Sequence, residues 1–422
     1  MILSRRFAIR PTRLQRVALA KASGCARVAW NWGLARKIEA YKTRKAAIEA
    51  GMNKAAAPKV PTAIDLHREL NKLKDAPIEA GGFPWMRESS KCAPQEALRD
   101  LDLAYAAFFR RVKVGEKPGF PRFHGKRPGE GHFRVFGSIA VEDGTVTLPR
   151  IGAVRIMSGD RGWAPTGKHG SAAVVQEHGE WFVAVHMEVP EAAACPDDAL
   201  RVGIDLGVRK LAVLSDGTSI PNPKALRRAE LRLKRAQRVL SRRVKGSNRR
   251  KNARLRLSRR HARVANVRRD ALHKATTWIA RTYPIVVVED LHVKNMTRRA
   301  HGKGRVAKAG LNRAILDAGF AEFRRLLDYK LRLHGGRLLI VPAPYTSQDC
   351  SRCGARTDCG SNETYTCAAC ASVMDRDLNA ARNIVAASWP ETENARGGVV
   401  SRQTRKSPSH APVKRESAGA SA

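Results

Sequence analysis

Apolar residues change their spacing three times along this chain. Ile2, Phe7 and Ile9, separated by Arg and Ser and followed by Pro11, predict a short strand over 1–11. From 12 to 114 the positions Leu14, Val17, Leu19, Cys25, Val28, Trp30, Trp32 and Leu34 recur two to six residues apart among many alanines, which predicts helix. A Lys/Ala/Pro-rich loop interrupts this region at 51–61, and a second helix over 94–112 carries Leu98, Leu101, Leu103, Tyr105, Phe108 and Phe109. The Gly-, Pro- and Arg-rich stretch 115–131 marks a boundary. Six short β-branched or aromatic runs follow, at 132–136, 138–141, 145–148, 153–156, 172–177 and 181–188. Strands this short and this evenly spaced predict a small barrel, with the first strand placed to complete it. A Pro/Ala linker at 190–196 closes this part of the chain.

A third unit then opens with two apolar strands, 201–207 and 210–215. The segment 224–281 is intensely basic and reads as two or more helices broken at 245–248, with a partly apolar face amid the arginines. Four apolar β-formers at 285–288 predict a central strand. A helix over 314–334, a buried strand over 337–342 and a short helix over 378–387 complete the unit. Beyond Trp389 apolar content falls away, so 390–422 is expected to be a disordered tail. The whole is an α/β multidomain chain without internal repeats.

Charge sharpens this picture. The 422 residues carry 79 Lys+Arg against 38 Asp+Glu, a net charge of +41, and 43% are hydrophobic. That length and apolar content support two to four structural units and exclude a disordered chain or a small disulfide scaffold. So large a charge opposes compaction unless a polyanion neutralises it, which points to a nucleic-acid partner over a basic ribosomal or membrane-surface protein. No apolar run of ~18 residues predicts a membrane span. The basic N-terminus lacks the apolar stretch of a secretory signal.

In a chain so poor in acids, carboxylates at the ends of apolar strands need a reason. Asp205 ends the strand at 202–204, Glu289 ends 285–288, and Asp377 opens the helix at 378–387. Each alone is explained by turn or helix capping. Together they fit an RNase H-type sheet, where three acids converge to hold divalent ions for phosphodiester hydrolysis. The cysteines make a separate signal. Cys350 and Cys353 form one C-x-x-C pair and Cys367 and Cys370 another, with 13 residues between the pairs. Four thiolates so spaced predict a closed, structural Zn²⁺ site. Cys359 is the odd one, expected as a free thiol ahead of a swapped zinc ligand. Arg227, Arg228, Arg235, Arg242, Arg243, Arg249 and Arg250 are expected to contact nucleic-acid backbone, because few acids stand opposite them. Trp30, Trp32 and Trp85 are expected in core packing ahead of base stacking.

Read in order, GIDLG (203–207), VVVEDL (286–291) and CSRCG…CAAC…DRDLNAARNI (350–384) resemble the three RuvC motifs and zinc ribbon of the TnpB family. These are the RNA-guided nucleases of insertion sequences, related to compact type V CRISPR effectors. CARVAWNWGLA (25–35), GFPRFHGK (119–126), NMTRR (295–299) and TSQDCS (346–351) agree with it. The resemblance spans the chain except 390–422. It implies a helical recognition lobe at 12–114 and a wedge β-barrel from 1–11 and 115–196. A RuvC-like nuclease would occupy 197–345 and 374–389, with a zinc-ribbon insert at 346–373. Carried over, Asp205, Glu289 and Asp377 are the catalytic, Mg²⁺-holding acids, with Asp375 the fallback for the third. The implied activity is an Mg-dependent endodeoxyribonuclease using a non-coding guide RNA on double-stranded DNA beside a short target-adjacent motif. Its implied setting is a prokaryotic cytoplasm, at the nucleoid. Three other readings stay open: a CRISPR effector of the same fold, an RNA-independent RNase H-fold transposase, and a non-cleaving RNA-guided binder.

Overall fold

The computed structural model describes residues 1–126, 129–142, 144–157, 168–299, 304–342, 345–358, 360 and 362–388. Cys359 and the 390–422 segment therefore lie outside the described residues. Strand β1 (Ile2–Arg10) leads into α1 (Arg13–Glu49), a 37-residue helix. A capping box starts it: Thr12 Oγ1 accepts the Gln15 N–H at 3.3 Å, and Gln15 Oε1 accepts the Thr12 N–H at 3.0 Å. Both amides would otherwise lack partners. Helix α2 (Ala63–Leu73) starts the same way, with Thr62 and Asp65. Helix α3 (Cys92–Lys113) packs on α1 at Gly33, where a Cβ would lie only 2.6 Å from Leu98 Cδ2.

The next six strands are β2 (Gly131–Phe136), β3 (Ala140–Glu142), β4 (Thr145–Leu148), β5 (Gly152–Ile156), β6 (Lys168–Glu177) and β7 (Glu180–Glu188). With β1 they form one sheet in the order β2-β6-β7-β1-β5-β4-β3. The chain's first strand thus sits mid-sheet, antiparallel to both β7 and β5. Among the described residues no ladder joins β2 to β3. Along β7, Trp181, Val183, Val185 and Met187 are buried in strict alternation, the period of a sheet with one covered face. That face shares one core with the helices: Phe7, Val135, Val154 and Val183 cluster with Leu19, Leu66 and Leu98. The helical and β segments are therefore packed as one body of apolar contacts. Trp30 and Trp32 lie partly buried against this core.

A second sheet contains β8 (Arg201–Leu206), β9 (Lys210–Leu214), β10 (Ser219–Pro221), β11 (Ile285–Glu289) and β12 (Arg337–Val341), ordered β10-β9-β8-β11-β12. Strands β8, β11 and β12 are parallel, and β9 runs antiparallel to its neighbours β8 and β10. A basic helical hairpin, α4 (Ala225–Ser241) and α5 (Asn248–Thr282), crosses from β10 to β11. Between β11 and β12 run α6 (Val293–Met296), α7 (Arg305–Ala318) and α8 (Phe320–Leu333). The single helix expected over 314–334 is in fact two. Gly319 breaks it with φ of 76°, and a Cβ there would sit 3.3 Å from Leu272 on α5; only glycine suits both conditions. Apolar periodicity ran across the break because both helices face the same core. Strand β11 is covered on both sides: Val286 and Val288 pack with Phe323 and Leu327, while Val287 packs with Ile384 of α9 (Arg376–Ala386). A small hairpin, β13 (Thr364–Thr366) with β14 (Val373–Asp375), precedes α9. No helix among the described residues is long and apolar enough to cross a membrane.

Candidate active site and metal centre

Strand register brings two of the acids together. Ile204 of β8 stands opposite Val288 of β11, so the next residues, Asp205 and Glu289, leave adjacent parallel strands at the same end. Helix α9 closes over β8. A Cβ on Gly203 would lie 2.2 Å from the Ala381 carbonyl oxygen, so this glycine permits the approach that brings the first turn of α9, with Asp377, to the same place.

Asp205 feels the other two carboxylates. Burial first, then the charges of Glu289 and Asp377, pushes Asp205 up from 3.8 to about 7, against a smaller pull from Arg376 and a hydrogen bond from the Leu206 amide. Burial also raises Glu289, opposed by the hydroxyl that Thr346 donates to it. Among the described residues none of the three forms an ion pair. Three unneutralised carboxylates facing one another, though spaced more widely than the cysteine sulfurs described below, suit a hard divalent cation such as Mg²⁺.

Asp375 is differently occupied. As the N-cap of α9 it accepts the N–H groups of Asp377 at 2.9 Å and Leu378 at 3.1 Å. Its other oxygen takes Lys210 Nζ at 2.8 Å. Burial raises its pKa, but the Lys210 and amide hydrogen bonds outweigh that and hold it below the ordinary value. The capping role weighed for Asp377 belongs to Asp375, which leaves the Asp377 carboxylate uncommitted to the helix.

The cysteines form a tighter group. Cys350 Sγ lies 3.7 Å from Cys370 Sγ, and Cys353 Sγ lies 3.6 Å from Cys367 Sγ. All four sulfurs fall within 4.8 Å of one another, the one such group of three or more ligand atoms among the described residues. Zinc–sulfur bonds of ~2.3 Å in a tetrahedron put sulfurs about 3.8 Å apart, so the four cysteines fit a structural zinc. Burial opposes ionisation of Cys350, yet hydrogen bonds from Ser372 and from backbone amides win and bring it down to about 6. Cys353 is pushed the other way, up to about 12: the Ala355 amide opposes this, but hydrogen bonds with the other thiols and burial outweigh it.

Between α4 and α5 lies a cleft of about 1290 Å³ walled by arginines over an apolar floor of Leu233, Val239, Val264 and Val267. Of the seven expected arginines, Arg228, Arg235, Arg243 and Arg249 line it, and Arg227 and Arg242 do not. Arg250 is turned to the carbonyls of Leu240 at 3.0 Å and Arg243 at 2.8 Å, bracing the hairpin. Five arginines unnamed from the sequence also face the cleft: Arg232, Arg256, Arg259, Arg260 and Arg263. For Arg256 and Arg260, eight and four residues before the buried Val264, helical spacing is the signal that identifies them. Thr346 and Asn383 were also missed, because their roles depend on partners far along the chain.

Comparison with known proteins places this architecture. A family profile described as "Probable transposase" matches residues 173–300, one described as "Cas12f1-like, TNB domain" matches 320–384, and a "Helix-turn-helix domain" profile matches 1–46. Here 1–46 is a strand followed by one uninterrupted helix. The chain is 34% identical over 392 residues to "Putative RNA-guided DNA endonuclease InsQ" of Escherichia coli K12, covering 90% of this chain and 91% of that protein. The chain belongs to the TnpB family. A second family member, "Putative RNA-guided DNA endonuclease" of Streptomyces pristinaespiralis, is 32% identical, with 92% of each chain covered. A "TnpB-like protein L79" of Acanthamoeba polyphaga mimivirus is 30% identical over 33% of this chain and 26% of its own. Among solved structures, a Cas12f1–sgRNA–target DNA complex aligns over 91% of this chain and 98% of its own, at TM-score 0.47 and 13% identity.

Proposed function

We propose that this protein is an RNA-guided DNA endonuclease of the TnpB type, cutting DNA with Asp205, Glu289 and Asp377. The observation that carries this is the Asp205 carboxyl at the end of two adjacent parallel strands, raised to about 7 first by desolvation and then by the charges of the neighbouring Glu289 and Asp377. Displaced carboxylates gathered at one strand end are a mark of functional sites. The three would hold Mg²⁺, which supplies activation of a water and stabilisation of the leaving oxygen. Asp205 and Glu289 reach the site from rigid strands and Asp377 from a capped helix, so the donors are fixed before the metal arrives. Thr346 orients Glu289 through its hydroxyl.

Strand order supports an RNase H-type, RuvC-like assignment for 197–345 and 374–389, since the acid-bearing strands are adjacent, parallel and central. The zinc ribbon would span 346–373. The place of β1 amid the later strands supports joining 1–11 to 115–196 as the wedge unit, with 12–114 as the recognition unit. The arginine-walled α4–α5 cleft suits the backbone of a guide RNA or guide–target duplex, held by charge and shape. Sequence choice would then rest on guide–target pairing, beside a short motif read by the protein.

The test is reconstitution. RNA that co-purifies with the protein is sequenced, and a plasmid carrying its match and candidate flanking motifs is incubated with protein and Mg²⁺. Cleavage that depends on the guide and disappears in Asp205→Ala supports the reading. Cleavage that survives removal of the RNA before assembly would favour an RNA-independent nuclease.

A further inference from the structure

The segment leading from β12 into the cysteine cluster touches both sides of the acid site. Thr346 gives its hydroxyl to Glu289 Oε1, while its carbonyl accepts Asn383 Nδ2 at 2.7 Å. Three residues on, the Asp349 carbonyl accepts Asn379 Nδ2 at 2.8 Å and Asn383 Nδ2 at 2.6 Å. Asn379 Oδ1 completes the seam by accepting the N–H of Ser351, between the first two cysteines, at 2.9 Å. The Asn379 side chain is wholly covered, at 0% exposure, and both ends of its amide are used. Asn379 and Asn383 stand four residues apart, on one face of α9. Ala381 and Ile384 meet the sheet instead, at Gly203 and Val287. At its other support, α9 continues directly from β14 and is capped by Asp375, two residues before Asp377. The helix is therefore held on one face by the sheet and on another by the 346–351 segment that leads into the cysteines, with Asp375 capping its start.

We propose that Asn379, Asn383 and Thr346 are positioning residues that couple the cysteine cluster to the acid site, setting where Asp377 stands relative to Glu289. The proposal rests on the nuclease reading above. Its physical basis is that mutually repelling carboxylates do not hold their own spacing. Partners behind the metal ligands must fix it, and loss of such partners typically weakens metal binding tenfold to a hundredfold. Removing the Asn383 amide takes a donor from the Thr346 and Asp349 carbonyls, and removing that of Asn379 takes the acceptor from the Ser351 N–H; half-buried polar groups resist losing their partners, so α9 has reason to shift.

The experiment measures Mn²⁺ binding to DNA-free protein by electron paramagnetic resonance, alongside cleavage as Mg²⁺ is varied. Asn383→Ala should raise the Mn²⁺ dissociation constant about tenfold, and raise the Mg²⁺ needed for half-maximal cleavage in parallel. Zinc content and guide-RNA affinity should stay unchanged. Thr346→Val, which leaves α9 intact, should give a smaller shift in the same direction, and Thr346→Ser should restore it. If Asn383→Ala does not fold, the two Thr346 variants carry the test. Wild-type Mn²⁺ binding in folded Asn383→Ala and in Thr346→Val overturns the coupling. Asp205→Ala separates the two levels. Cleavage by that variant overturns the nuclease reading, whereas an inactive Asp205→Ala beside unaltered Mn²⁺ binding in the positioning variants overturns the coupling alone.

Discussion

The cysteine cluster and the proposed acid site are assembled in opposite ways. The four thiols come from two tight turns within 21 residues of chain, and their sulfurs already stand at zinc-like separations. The three carboxylates come from a strand, a second strand 84 residues later and a helix 88 residues beyond that. They are looser than the thiols and form no ion pair among the described residues, and the charges of Glu289 and Asp377 add to burial in raising the Asp205 pKa. A structural metal site can be built locally and filled completely. A site for chemistry needs donors from separate elements and keeps unneutralised charge, at a cost in stability to the protein without its metal.

That contrast can be broken experimentally, and the largest effect lies at the acids. Asp205→Ala should lower guide-dependent cleavage by roughly a thousandfold or more, since several kcal/mol of metal-derived stabilisation is lost. Its guide-RNA affinity, read by filter binding, should not change. At the cysteines the consequence is folding instead. Cys353→Ser should release zinc, measured by metal analysis, and lower the melting temperature through loss of several kcal/mol of metal-linked folding energy. Unchanged zinc content and melting in that variant would remove the ribbon from the account.

A pH experiment sharpens the difference further. Asp205 binds its proton more tightly when folded, at about 7, than at its ordinary value of 3.8. Its contribution to stability is therefore complete below about pH 4 and is lost as pH rises through 7. Without added Mg²⁺, Asp205→Asn should accordingly melt higher than the parent at pH 8, by on the order of 4 kcal/mol at most. The gap should close toward pH 4, and an equal gap at both pH values would contradict the charge crowding. The smallest effect belongs to Asp375. As a helix cap, Asp375→Ala should cost about 1 kcal/mol in denaturant melts and reduce cleavage far less than Asp377→Ala.

Much of this site was legible because its signals are local. The C-x-x-C pairs predict a cluster of four thiols that fits a structural zinc, since thiol geometry within a short turn depends on spacing alone. The apolar runs before Asp205 and Glu289 mark strand ends, as β8 and β11 bear out. Three-dimensional packing decided what no spacing encodes. It assigned the N-cap to Asp375, split the 314–334 helix at Gly319, turned Arg250 inward and Arg256 toward the cleft, and bound Thr346 to Glu289. The reason is the range of the interaction. Periodicity and turn chemistry act between near neighbours in the chain, whereas a side chain's partner across a sheet or beneath a helix exists only once distant segments have packed.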